Sequence, residues 1–406
     1  MSGRNPIEDL AHLRHEFGEH GGVNMSVETS STFTVIDPET MPDLFQGRAG
    51  PDKGCYLYGR HFNPTVYNLG RQMAALEGTA AAYCTASGMA AISGVIMSLC
   101  NAGDEVVASD TIYGGSYALL HDFLPAKSGI TTRFVDITDL DAVANAITDK
   151  TRLVFTESIS NPTLRVADIP RLSALAKEKG IPVVVDNTFS PLILSPAVLG
   201  ADIVVHSITK YISGASDVIA GAICGSEEFI GELMDLHMGP LMLLGPTMDP
   251  NVAAGISLRI PHLPLRMRAH SERALAITAR LDELGLKVGY PGLPQYPDHA
   301  LFRELHCEEY GYGGVFTLDV GDEETANALM SCLQNEQRFG YLAVSLGYFD
   351  TLMSCSGSST SSEMSDEDKD SAGISPGLLR ISIGYTGTLE QRWTQLQAAL
   401  RHTGLI

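Results

Sequence analysis

Positive charge is scarce in this chain. Among 406 residues, 27 Lys and Arg stand against 48 Asp and Glu, a net charge of −21. Such a balance excludes nucleic-acid backbones and anionic membrane surfaces as partners. There is one tryptophan. The seven cysteines (55, 84, 100, 224, 307, 332 and 355) are scattered. No Cys-x-x-Cys pair exists, so zinc-ribbon and dithiol redox motifs are excluded. With polar opening residues and no secretory pattern, free thiols in a reducing cytoplasm are expected. Glycine-rich nucleotide loops are missing, both G-x-G-x-x-G after a strand and the P-loop. A G-x-S-x-G nucleophile elbow is missing too. The segment His15-Glu16-Phe-Gly-Glu19-His20 spaces its histidines by five rather than four, so no metal site is expected there or elsewhere. Gly78–Gly103 carries no charge over 26 positions, enough to span a bilayer. Its Gly, Ser, Thr and Ala content and the Ser87-Gly88 break predict a turn and then a buried helix, Met89 to about Leu99.

What is present is an alternation of strand and helix signals from about residue 63 to 250. Strands are expected at Glu105–Ala108, Thr132–Val135, Arg152–Thr156, Val183–Val185, Ile203–Val205 and Ile219–Cys224. Helices are expected at Asp139–Ile147 and Pro170–Lys179. Short apolar strands alternating with helices imply an α/β fold with a mostly parallel sheet in a large domain. A long helical pattern, Arg266–Leu284, leads into a smaller α+β part with expected strands at Gly314–Val320, Ala343–Leu346 and Leu379–Ile383. The expected organisation is an irregular arm over 1–62, an α/β domain over 63–258 and a C-terminal domain over 259–406. A Ser-rich segment, Ser354–Ser365, precedes an acidic run from Asp366 to Asp370. Methionines 234, 238, 242 and 248 are expected to pack in helices and core.

Two strands end on chemistry. One reads Ile181-Pro-Val-Val-Val-Asp186, the next Ala201-Asp-Ile-Val-Val-His-Ser207-Ile-Thr209-Lys210. Parallel sheets bind ligands at the carboxyl ends of their strands. A carboxylate and an amine placed there suit pyridoxal 5′-phosphate. The lysine condenses with the cofactor aldehyde, and the aspartate keeps the pyridine nitrogen protonated so that the ring accepts electrons. Ser207 and Thr209 offer hydroxyls for a phosphate. The Ser87-Gly88 helix entry offers free N–H groups and a positive dipole end. Arg380, inside an apolar strand, is costly to bury without an anionic partner.

These motifs, with Ser87-Gly-Met-Ala-Ala91, Asp186-Asn-Thr188, Ser207-Ile-Thr-Lys210-Tyr211 and Tyr58-Gly-Arg60-His-Phe-Asn63-Pro-Thr65, resemble the trans-sulfuration (Cys/Met metabolism) family of fold-type-I, aspartate-aminotransferase-like pyridoxal-phosphate enzymes. The likeness runs from about residue 13 to the end. Within the family the chain resembles the methionine γ-lyase group in its plant-type branch. Arg14–Met25, Val344-Ser-Leu-Gly-Tyr348 and Leu352–Glu363 carry that narrower likeness.

The resemblance implies roles. Lys210 would hold the cofactor and shuttle protons between Cα and Cβ, with Asp186 on the pyridine nitrogen. Ser87, Gly88, Met89, Ser207 and Thr209 would hold the phosphate. Tyr58 and Arg60 would reach it from a neighbouring subunit, making a homodimer with shared sites, doubled into a homotetramer. Tyr113 would stack on the ring and serve the leaving group as acid/base. Asn161 would sit by the 3′-oxygen, and Arg380, with Ser345 nearby, would clamp the substrate carboxylate. The implied reaction is γ-elimination on a small L-amino acid, L-methionine first. Two alternatives are γ-elimination from an oxygen-linked substrate such as L-canavanine and γ-replacement on an O-acyl-L-homoserine. A non-catalytic binding protein is a fourth. Departures from the bacterial branch include Gly115 where a cysteine stands, His237–Met242 without its Lys-Asp pair, and the Ser-rich run. They imply a wider, more polar pocket.

Overall fold

The computed structural model describes residues 4–13, 17, 18, 20–35, 37–357, 367, 369 and 373–406. Short apolar runs become seven strands: β1 (Ala81–Thr85), β2 (Glu105–Ser109), β3 (Thr131–Val135), β4 (Thr151–Glu157), β5 (Val183–Asp186), β6 (Ile203–His206) and β7 (Gly221–Gly225). They form one sheet in the order β1-β7-β6-β5-β4-β2-β3. The four pairings from β6 through β5, β4 and β2 to β3 are parallel. β7 runs antiparallel to both neighbours. Side chains alternate across the strands, so each face feeds its own core. Val107, Val154, Val183, Val185 and Val204 lie on one face. Val106, Ala108, Leu153, Phe155, Val184 and Val205 lie on the other.

A second sheet, of five strands, occupies the C-terminal part. Its members are β8 (Lys287–Gly289), β9 (Val315–Asp319), β10 (Tyr341–Leu342), β11 (Leu352–Cys355) and β12 (Leu378–Ser382), in the order β10-β11-β12-β9-β8. Leu318, Leu379 and Ile381 pack there against Ile277 and Leu281 of the long helix Leu263–Glu283, and against Leu396 and Leu400 of the helix Leu389–His402. The architecture is the expected α/β arrangement, with a mostly parallel large sheet and a smaller α+β part.

Several local expectations change. β1 lies where only a turn was expected. Its Ala-Ala-Tyr-Cys-Thr sequence has little intrinsic strand preference, and cross-strand pairing with β7 decides it. The expected strand at Ala343–Leu346 does not form. Ser345 has a φ of +97° and Gly347 a φ of +77°, which no paired strand accommodates. Pairing shifts to β10 and β11 on either side. The arm is less irregular than expected. A helix, Pro6–His12, is capped by Asn5 and started by Pro6, and a short helix spans Met41–Phe45. Arg4 ties the start of the chain to the helix Pro64–Glu77 by donating to the Ala75 carbonyl at 2.6 Å. Met234, Met242 and Met248 are buried, but Met238 is 78% exposed and packs in no core. Ser354 lies inside β11 and is buried, as is Ser356, because β11 is covered on both faces. Residues 358–365 of the Ser-rich run and 366, 368 and 370 of the acidic run lie outside the described residues, as do His15, Glu16 and Glu19 of the histidine segment. Among the described residues no helix is long and apolar enough to cross a membrane. All seven cysteines are free.

Candidate active site

Register sets the site. Parallel pairing places Glu157, the last residue of β4, opposite Asp186, the last of β5, and Asp186 opposite Val205 in β6. The segments leaving β1, β2, β4, β5 and β6 therefore open on one edge of the sheet. They carry Ser87 to Met89, Tyr113, Asn161, Asp186 and Ser207 to Lys210, in that order.

The helix Gly88–Leu99 begins at this edge. Ser87 caps it by accepting from the Ala90 N–H at 3.1 Å. The Gly88 and Met89 N–H groups precede the first intrahelical bond and point outward. A Cβ on Gly88 would stand 2.7 Å from Ser207 Cβ, so glycine is what lets the two segments converge. The Ser207 N–H donates to Thr188 Oγ1 at 2.8 Å, and among the described residues its hydroxyl has no hydrogen bond. The Thr209 hydroxyl is engaged with Ala220 in both directions.

Asp186 is buried, and its Oδ1 accepts from the Thr188 N–H at 2.9 Å and from the Thr188 hydroxyl. Among the described residues Oδ2 has no hydrogen bond. Burial raises the carboxyl above its usual range, with the Thr188 bonds and His206 pulling the other way. A cationic N–H donor at Oδ2 would restore the carboxylate.

Lys210 Nζ donates to Ser345 Oγ at 2.8 Å. Burial first, and then the Arg380 charge, lower the amine to about 8. Arg380 is 3% exposed. It donates to Asn161 Oδ1 and to the Ser345 carbonyl, each at 3.0 Å. Both acceptors are neutral, and among the described residues no carboxylate hydrogen-bonds this buried cation. Burial lowers it to about 10, so it stays charged at neutral pH and suits an anionic ligand.

Tyr113 is 44% exposed and opens the short helix Gly114–Ala118. Its ring lies over Gly115, where a Cβ would come within 2.6 Å of the ring. Among the described residues, no hydrogen bond joins Tyr58 or Arg60 to the cluster. Arg60 donates to the Met242 carbonyl and lies over the Tyr58 ring. A cavity of about 740 Å³ adjoins the cluster through Thr209 and Ser345, and Val344 and Tyr348 also line it.

Sequence reasoning missed Glu157. The signal was present in Phe155-Thr-Glu157-Ser, a carboxylate ending an apolar strand as Asp186 does. Glu157 is buried, and both its oxygens accept backbone N–H groups, from Tyr113 at 2.9 Å and Asn161 at 2.8 Å. Burial and the Asp186 charge push its carboxyl up to about 8. Elsewhere among the described residues, Cys332, Glu336 and His402 bring side-chain atoms within 4.8 Å of one another, and Cys332 Sγ donates to Glu336.

The residues fit pyridoxal phosphate. There is a lysine with a depressed amine, a buried carboxylate with one free oxygen, and a helix N-terminus beside the Ser207 hydroxyl. Fold and site together define a fold-type-I pyridoxal-phosphate enzyme. The comparisons narrow this. A family model, the Cys/Met metabolism PLP-dependent enzymes, matches residues 10–400. The chain is 61% identical over 396 residues to a methionine gamma-lyase of Arabidopsis thaliana, covering 97% of this chain and 90% of that protein. It is 35% identical over 411 residues to an L-methionine gamma-lyase of Pseudomonas putida, covering 99% of each. Among solved structures, a putative O-acetylhomoserine (thiol)-lyase from Campylobacter jejuni superposes with a TM-score of 0.89 at 27% identity. That match covers 98% of this chain and 100% of the other, which carries N′-pyridoxyl-lysine-5′-monophosphate. The chain belongs to the Cys/Met metabolism family of PLP-dependent enzymes. Pyridoxal 5′-phosphate is its cofactor.

Proposed function

We propose that the protein cleaves L-methionine by γ-elimination, to methanethiol, 2-oxobutyrate and ammonia. The observation that carries this is the buried Arg380 guanidinium. No carboxylate hydrogen-bonds it among the described residues, and it is linked through Ser345 to the Lys210 amine. The chain is also 61% identical to a protein named for that activity. Bound pyridoxal phosphate supplies the electron sink that acidifies the substrate's Cα–H.

The side chains do the rest. Arg380 clamps the substrate carboxylate bidentately and fixes Cα within reach of Lys210. Lys210 holds the cofactor through its amine and then moves protons at Cα and Cβ. Ser345 orients that amine. Asp186 keeps the pyridine nitrogen protonated. Ser87, Gly88, Met89, Ser207 and Thr209 bind the phosphate, and Thr209 gives up its Ala220 bond to do so. Asn161, while holding Arg380, would help hold the cofactor at its 3′-oxygen. Tyr113 would help hold the ring and donate the proton that the departing thiolate needs.

We place Tyr58 and Arg60 in the site of a second copy, because among the described residues neither is hydrogen-bonded to the cluster of its own chain. On this reading residues 1–62 form an arm to that copy, 63–258 the cofactor domain and 259–406 the C-terminal domain. The assembly is a homodimer with shared sites, paired into a homotetramer, in the cytoplasm. One alternative has an observation behind it, the likeness to a thiol-lyase named for O-acetylhomoserine. Of the Ser354–Glu363 run that would favour canavanine, Ser354 and Ser356 turn inward, and 358–363 lie outside the described residues.

The test is a substrate panel on the cofactor-loaded enzyme. It holds methionine, homocysteine, cystathionine, O-acetylhomoserine and canavanine at equal concentration. Fast 2-oxobutyrate and methanethiol from methionine without an added nucleophile is expected. Turnover of O-acetylhomoserine that requires an added thiol, with methionine inert, would overturn the substrate and keep the family.

A further inference from the structure

We infer that Glu157 is a positioning residue that locks the leaving-group acid and the substrate clamp into one frame. The inference rests on the roles proposed above for Tyr113 and Arg380.

Glu157 ends β4, in register with Asp186. Its Oε1 accepts the Tyr113 N–H at 2.9 Å, across 44 residues of sequence, and its Oε2 accepts the Asn161 N–H at 2.8 Å. Asn161 passes the constraint on, because its Oδ1 accepts from Arg380 Nη1 at 3.0 Å. Arg380 Nη2 then holds the Ser345 carbonyl, and Ser345 Oγ holds Lys210. One buried carboxyl thus ties the loop after β2, the loop after β4 and the central strand β12 to the reactive amine. The helix Gly114–Ala118 has no side-chain cap of its own. Glu157 is therefore the group that fixes where Tyr113 begins it.

The placement is energetically odd for a residue that only fills space. Two carboxyls at adjacent strand ends, both buried, repel when both are ionised. Two N–H bonds to a carboxylate offset part of that cost. Glutamine would satisfy one N–H and turn its NH₂ against the other. Aspartate is one methylene short of spanning both. Only a carboxyl of this length holds both loops.

The sign of the effect separates positioning from charge. Acting through charge alone, an ionised Glu157 repels a substrate carboxylate from Arg380, and Glu157→Gln would leave anion binding unchanged or tighten it. As a positioning residue it does the reverse.

The experiment compares wild type, Glu157→Gln, Arg380→Ala and the double variant, each loaded with pyridoxal phosphate. The dissociation constant of an unreactive amino acid, glycine, is read from the shift of the visible band, alongside kcat and KM for methionine. Glu157→Gln is expected to keep the visible band and to weaken glycine binding roughly tenfold. Its kcat should fall by a similar factor, because both the clamp and Tyr113 move. In the Arg380→Ala background its effect on glycine binding should vanish. Unchanged or tighter glycine binding in Glu157→Gln, or an effect that adds fully to that of Arg380→Ala, would overturn the inference. If Glu157→Gln does not fold, Glu157→Asp is measured in its place. It keeps the charge, so weakened glycine binding supports positioning and unchanged binding overturns it. A wild-type protein with no visible band would instead sink the cofactor roles on which the inference stands.

Discussion

Lys210 and Ser345 lie 135 positions apart in sequence, yet Lys210 Nζ donates to Ser345 Oγ at 2.8 Å. The bond joins the turn after β6 of the large sheet to the loop after β10 of the small one. Ser345 reaches it through a backbone φ of +97°, a conformation that costs about 1–3 kcal/mol in a non-glycine residue and concentrates at functional sites. Segments that follow strands of the two sheets meet at this contact.

Replacing Lys210 by alanine should remove both the visible absorbance of the bound cofactor and turnover, by at least about 10³-fold in kcat. Absorption spectra and 2-oxobutyrate release check it. Retained turnover would contradict the role given to Lys210.

Arg380→Lys keeps the charge and loses the two-pronged geometry. Charge-assisted hydrogen bonds contribute about 1.5–3 kcal/mol, so KM for methionine should rise roughly 10- to 100-fold. The cofactor band should stay in place. Steady-state kinetics across methionine concentrations decide the matter; an unchanged KM would mean that the clamp lies elsewhere.

The lowered Lys210 amine predicts a pH dependence. Below about 8 the amine is protonated and cannot attack an aldehyde; above it the amine is free. Cofactor uptake by the stripped protein should therefore speed up as pH rises through about 8 and then level off. Arg380→Met removes a repelling charge, so the midpoint should move upward. Stopped-flow absorbance from pH 6.5 to 10 reads both; a midpoint left near 8 in the variant would deny the coupling.

Stability should weaken in mild acid through His270. This histidine is fully buried on the helix Leu263–Glu283, where its Nδ1–H donates to the Ile383 carbonyl at 2.6 Å. Burial lowers it to about 4 from an ordinary 6.5. The folded state thus binds fewer protons than the unfolded state between those values. Its contribution is complete above 6.5 and is lost as pH falls toward 4, on the order of 3 kcal/mol in all. The neighbours Arg266 and Arg273 push the same way. His270→Asn keeps a donor and cannot titrate. The gap in Tm between wild type and variant should therefore narrow from pH 7 to pH 5, and a constant gap would refute the assignment.

Arg60→Ala should loosen cofactor binding, and mixing shows whether Arg60 serves a neighbouring subunit. Mixing Arg60→Ala with Lys210→Ala, each inactive alone, should then restore part of the activity, because some mixed sites receive both native residues. No recovery on mixing would place Arg60 in its own chain's site or in none.

Much of the site could be read along the chain because its residues sit in local motifs. Asp186 ends a buried strand, Lys210 follows another by four residues, and Ser87-Gly88 starts an uncharged helix. Each is set by a strand-to-helix or strand-to-loop transition a few residues long. Glu157 was harder to find. Its significance comes from two N–H groups on different loops and from register with Asp186, and no short window contains these. The misplaced strand at Ala343–Leu346 has a related cause. Its apolar pattern fits a strand, but Arg380 and Lys210 draw Ser345 out of an extended path.

The sequence by itself determined the alternation of buried strands and helices, the placing of an amine, a carboxylate and a capped helix at strand ends, and the kinship these motifs carry. Periodicity and end signals within ten or twenty residues are enough for that. The tertiary structure alone decided that β1 pairs with β7 and that Glu157 stands beside Asp186. It also decided that Arg380 reaches Asn161 across 219 positions and leaves its charge for a ligand. These depend on which strands become neighbours and in what register, a choice made by the packing of the whole core.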